Sequence, residues 1–136
     1  MAHEQASIRS DLGKARGLGS AKEGFHHWWM QRVSAVSLLP LSLFWLFNLH
    51  DITSSDYAHF MAWIGSPFTA IPAILFIIAS FYHAALGMQV IIEDYVPAEG
   101  WRISLLIINK LSFALLGVSS VCAVAWLSLA SHLHIG

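Results

Sequence analysis

Three apolar runs, each long enough to cross a bilayer, limit what this chain can fold into. They lie at about residues 29–49, 68–92 and 103–131. The hydrocarbon core of a membrane is roughly 30 Å thick, so a helix rising 1.5 Å per residue needs roughly 20 apolar residues to span it. The chain is 57% hydrophobic and only 11% charged, whereas a soluble domain carries roughly a quarter charged residues. The deficit points to lipid. The predicted fold class is therefore all-α, an integral membrane three-helix bundle. A net charge of −1 offers nothing to nucleic acid.

Residues 1–25 are polar and rich in Gly, Ser and basic side chains. They read as an arm or partner-binding segment rather than a signal peptide, because the apolar run that follows is too long for an h-region. Residues 26–136 form the membrane domain. Pro40 falls inside the first run, where it removes a backbone donor and is expected to kink the helix. Pro72 lies near a helix start, and Pro97 and Gly100 mark a turn between the second and third helices. The arm and the first helix's entry hold Arg9, Lys14, Arg16, Lys22 and Arg32, while residues 50–66 read as a loop with Asp51 and Asp56 but no Lys or Arg. The positive-inside rule then places the N-terminus in the cytoplasm and the C-terminus outside. The turn carrying Tyr95 and Arg102 is cytoplasmic on the same reading. Trp28, Trp29 and Trp101 read as interfacial belt residues, and Lys110 as a stem snorkelling back toward the headgroups. Cys122, alone in an apolar run, reads as a small buried residue.

His83 stands in the middle of the second run. An ionisable side chain at bilayer depth is costly, so it faces a bundle interior and is there for a reason. A neutral imidazole in an apolar setting suits axial ligation of a haem iron. From the residues alone, a hydrogen bond to a neighbouring helix remains an equal alternative. Gly87 follows one turn later on the same face, where its missing side chain leaves room for a flat macrocycle. Met88 is not the second ligand, because adjacent helical residues point in different directions.

Glu93-Asp94-Tyr95 closes this run. Asp94 lies eleven residues past His83, about three turns, while Tyr95 is rotated by about 120°. A tyrosine at a membrane edge commonly serves as a belt residue. Asp94 could tune Tyr95, relay protons or pair with a cation, or simply be a solvated carboxylate. Arg32 could give bidentate hydrogen bonds to anionic haem propionates, with His26 or His27 adding donors, or could anchor headgroups. Ser34 could line a pocket, but a serine bonding its own helix is the commoner case.

The segment from His83 to Val96, with Gly87 four residues after the histidine and Asp94-Tyr95 after seven more, resembles the haem and quinone motif of the hydrophobic membrane anchors of succinate dehydrogenase. Upstream, the segment from Gly24 to Ala35, with Arg32 followed by Ser34-Ala35, resembles that family's entry into its first helix. Together with three helices, the resemblance covers nearly the whole chain. It implies a place in respiratory complex II beside a flavoprotein subunit, an iron–sulfur subunit and a second hydrophobic cytochrome b subunit. It implies haem b shared with that second subunit, ubiquinone as electron acceptor, and the bacterial inner membrane ahead of the mitochondrial one. His83 matches the axial haem ligand, with Gly87 beside it. The resemblance leaves the other axial position to a histidine of a partner chain. Tyr95 and Asp94 match the quinone site, and Arg32 and His26 a propionate or quinone-pocket role. The chain holds no flavin motif and no cysteine cluster, so it cannot oxidise succinate alone. Two alternatives remain: an anchor of a quinol:fumarate reductase, and a structural or assembly anchor without haem.

Overall fold

The computed structural model describes residues 21–53 and 56–133, with side chains from residue 24 onward. Five helices follow one another: α1 Ala21–Phe47, α2 Leu49–Thr53, α3 Tyr57–Gly65, α4 Pro67–Tyr95 and α5 Glu99–Leu133. Helices α1, α4 and α5 are each long and apolar enough to cross a membrane. No strand occurs among the described residues. The expected all-α fold with three spans is what forms.

The boundaries differ from the sequence reading in instructive ways. Helix α1 extends back through residues 21–28, into the segment read as polar arm, because leaving the apolar region does not by itself end a helix. It runs through Pro40 without interruption. Asn48 ends it: both its backbone N–H (3.1 Å) and its side-chain amide (2.7 Å) donate to the Phe44 carbonyl. The segment 50–66, read as a loop, contains most of α2 and all of α3. Asp56 starts α3 by accepting a hydrogen bond from the His59 N–H at 2.9 Å, satisfying an orphan donor of its first turn. Pro67 opens α4 at a position where its missing N–H costs nothing. The Val96 N–H still reaches the Ile92 carbonyl at 3.1 Å. Pro97 cannot make the next bond, and α4 stops.

The long helices form a row with α4 at its centre. Helix α1 packs on one side of α4 and α5 on the other, and no Cα of α1 comes within 8 Å of one in α5. Both neighbours run antiparallel to α4. Ser34 meets His83, and Trp45 meets Phe76, eleven residues further along α1 and seven back along α4. Asn109 meets Ala85 and Phe113 meets Phe81. The start of α1, the end of α4 and the start of α5 therefore share one end of the row. The end of α1, helix α3, the start of α4 and the end of α5 share the other.

At that second end α3 braces the row. Ser128 of α5 donates to the Gly65 carbonyl at 3.1 Å, and Ser131 closes directly on Gly65. Trp63 of α3 meets Trp45 of α1 edge-on at 6.0 Å, and Trp45 meets Phe76 of α4 at 6.1 Å. Small side chains make the close approaches: Thr69, Ala70, Ala73 and Ser131 are all buried. Among the described residues, only Ile64, Ala70, Ala73 and Ile92 are buried apolar residues. A chain with so little core of its own gives its outer faces to lipid or to partner subunits. Cys122, expected to be buried, is exposed: it lines an open groove between α4 and α5.

Candidate functional site

His83 projects from α4 toward α1, where its Nδ1 lies 3.0 Å from Ser34 Oγ. Ser34 is buried, with 6% of its surface exposed. Its hydroxyl also donates to the Gln31 carbonyl one turn back, at 3.0 Å. A hydroxyl has one hydrogen and two lone pairs. With that hydrogen on Gln31, Ser34 meets His83 as an acceptor, and the imidazole proton belongs on Nδ1. Nε2 then carries a free lone pair, and among the described residues it has no hydrogen-bond partner. This is the form of histidine that ligates a metal, with its other ring nitrogen donating to a fixed acceptor. A hydrogen bond to a neighbouring helix and ligation are thus compatible here, since they use different nitrogens.

Gly87 lies one turn along the same face, and a Cβ built on it would meet nothing within 4 Å. The surface beside His83 is open where a flat group would lie. Among the described residues, no cluster of three or more His, Cys, Asp or Glu could hold a bare metal ion. A haem, which brings four ligands of its own, asks this chain for one side chain. The residues present fit that group.

From the α5 side, Asn109 clamps the same stretch of α4. It is buried, and its amide donates to the Ala85 carbonyl at 3.0 Å, while its Oδ1 is buried without a partner. Nothing drew attention to Asn109 in the sequence reading, although a lone amide in the third apolar run was a visible signal. Interhelical hydrogen bonds of this kind in a bilayer are worth about 0.6 kcal/mol on average. The α4 turn carrying His83 is therefore held from both sides, by Ser34 and by Asn109.

The antiparallel register sets depth. Arg32 precedes Ser34 by two residues, so it lies within about 3 Å of the level of His83 along the axis. Its guanidinium sits 5.4 Å from the centroid of the Trp28 ring, so the charge reaches back toward the end of the row that holds Tyr95. Trp28 and Trp29 stack in turn with Phe25, an arrangement suited to a membrane interface. His26 is exposed. His27, two turns from Ser34 on the same face of α1, has its Nε2 buried without a partner.

Tyr95 is the last residue of α4 and is 80% exposed, and Asp94 is exposed beside it. Neither side chain makes a hydrogen bond among the described residues, whereas Glu93 accepts one from Gln89 at 2.8 Å. Twelve residues separate Tyr95 from His83, about 18 Å along the axis. These sequence-predicted residues therefore fall into two groups by depth, with Arg32 on α1 and the others on α4. His83, Gly87 and Arg32 gather at mid-depth, and Tyr95 and Asp94 lie at the end. Two grooves flank Tyr82 and Ile78 on another side of α4, one of about 370 Å³ against α1 and one of about 630 Å³ against α5. Lys110 and Gln89 line the larger one.

Residues 6–134 match the family described as succinate dehydrogenase/fumarate reductase transmembrane subunit. The chain is 40% identical over 118 residues to the succinate dehydrogenase hydrophobic membrane anchor subunit of Rickettsia bellii, covering 86% of this chain and 94% of that one. It is 35% identical over 118 residues to the protein of the same name from Rickettsia prowazekii, with the same coverage. With that of Paracoccus denitrificans it shares 36% identity over 81 residues, 60% of this chain and 63% of the relative. These matches, together with three membrane-crossing helices, make it a multi-pass membrane protein that belongs to the succinate dehydrogenase/fumarate reductase transmembrane subunit family.

Proposed function

We propose that this chain is the hydrophobic membrane anchor of a succinate:ubiquinone oxidoreductase in a bacterial inner membrane, with its N-terminus in the cytoplasm. It works beside a flavoprotein, an iron–sulfur subunit and a second hydrophobic subunit, and has no activity alone. The relatives' names favour succinate dehydrogenase over fumarate reductase. The observation that carries the redox reading is His83, with Nδ1 engaged by Ser34, Nε2 free, and Gly87 leaving its flank open. A purely structural anchor needs none of these three.

In this reading His83 would hold a haem iron through Nε2, with a histidine of the second hydrophobic subunit as a further ligand. A haem b held there would supply one-electron transfer. Arg32 lies near the depth of His83 and presents its guanidinium toward the cytoplasmic end, which suits a haem propionate better than a quinone beside Tyr95. A guanidinium gives such a carboxylate two parallel hydrogen bonds. His26, six residues earlier on α1, is a further donor toward the same end. Tyr95 donates its hydroxyl proton to a quinone carbonyl at the cytoplasmic membrane edge, the side from which the iron–sulfur protein delivers electrons. Asp94 beside it can accept or pass a proton as the quinone is reduced.

The test is His83→Ala in the complex purified in mild detergent. The visible spectrum or the haem potential should change, while the flavoprotein and iron–sulfur subunits copurify. Complete loss of haem is not required, because another nitrogen or water can take the vacated position. A fully assembled variant with wild-type spectrum and potential would show that His83 is a packing residue.

A further inference from the structure

We infer that Ser34 is a positioning residue for His83, fixing the Nδ1–H tautomer and raising the electron donation of Nε2. The inference rests on the reading of His83 as a haem ligand. Ser34 Oγ is 3.0 Å from His83 Nδ1, and its own proton is committed to the Gln31 carbonyl. The hydroxyl is therefore turned so that a lone pair faces the ring. With Ser34 only 6% exposed, bulk water cannot substitute for it. Inside a low-dielectric helix interface, an N–H that loses its acceptor stays unsatisfied. Chained hydrogen bonds also polarise one another, so the Ser34–Gln31 bond and the His83–Ser34 bond are linked.

The chemical consequence has a sign. An imidazole whose distal N–H donates to a fixed acceptor is a more basic ligand. A more basic ligand favours the ferric over the ferrous state, so the Ser34 contact lowers the haem potential. Removing it should raise that potential. Ligand-supporting contacts commonly change metal affinity by about tenfold or more. A tenfold weakening of the ferric form relative to the ferrous form is about 59 mV for one electron.

The experiment uses the assembled, detergent-purified complex and reads the haem midpoint potential and the low-temperature EPR signal of the ferric haem. Ser34→Ala should shift the potential upward by about 59 mV for a tenfold effect and alter the EPR signal, with haem retained. Ser34→Thr keeps the hydroxyl and should restore the wild-type values. If Ser34→Ala fails to assemble, Ser34→Cys keeps nearly the same volume with a poor acceptor and should show the same upward shift. Wild-type potential and EPR in whichever of these variants assembles, in a protein where His83→Ala does change the spectrum, would overturn the role of Ser34 and leave ligation standing. An unchanged spectrum in His83→Ala would overturn both.

Discussion

Gly65→Ala should loosen the end of the helix row that α3 braces. Gly65 ends α3, where α3 presses on α5. A Cβ built there would lie 2.5 Å from Ser131 Cβ and would strike Ser131 Oγ as well. Turning the Ser131 side chain relieves only the second clash, because Cβ does not move with the rotamer. The backbones must separate, and that strains the Ser128 hydrogen bond to the Gly65 carbonyl and the Ser131 hydroxyl's bond to the Ser128 carbonyl at 2.7 Å. Overpacking in a tight contact costs about 1–3 kcal/mol, and the backbone clash argues for the upper half. Replacing Gly by Ala in a helix returns about 0.5–1 kcal/mol. The net destabilisation is then about 1–2.5 kcal/mol. The assay is thermal unfolding of the purified complex, followed by loss of the anchor from it. Ser131→Gly, introduced into the Gly65→Ala background, removes the clashing atoms and should recover most of the loss, a coupling that a double-mutant cycle measures. Gly65→Ala as stable as wild type, or no recovery in the double variant, would refute the close packing of α3 on α5.

Three further outcomes are expected. Tyr95→Phe keeps the ring and its belt packing but removes the hydroxyl. It should slow succinate–ubiquinone reduction by the loss of a hydrogen bond worth about 0.5–1.5 kcal/mol, while succinate oxidation by a soluble acceptor continues; normal quinone turnover would make Tyr95 a belt residue. Arg32→Leu should weaken haem retention more than quinone affinity, because Arg32 lies near His83 in depth and about 15 Å short of Tyr95 along the axis. The reverse ranking, read from haem content and quinone kinetics, would reassign Arg32 to the quinone. Reporter fusions at Tyr57 and after α5 should both report the outside, as the concentration of Lys and Arg before the first span requires, and a cytoplasmic signal from either would reverse the orientation.

Some of this protein was legible in the sequence because it depends on local properties. Spanning a bilayer is a matter of length and hydropathy, so all three crossings could be placed from composition along the chain. The spacing of His83, Gly87, Asp94 and Tyr95 carries their relative height and rotation, because 3.6 residues per turn applies within any single helix. The ends of α1 and the helices within 50–66 were less legible, since interfacial helices continue past the apolar runs and depend on caps such as Asp56. Tertiary structure alone decided which helix meets which. An apolar side chain gains little by choosing another helix over lipid, so hydropathy cannot say that α4 is central or that α1 and α5 stay apart. In a membrane that choice falls to small side chains and to polar ones that need partners: Gly65 against Ser131, Asn109 against Ala85, and Ser34 against His83. The sequence alone showed that His83 needed a partner. Only the packing of α1 on α4 brought Ser34 to its Nδ1 and left Nε2 free.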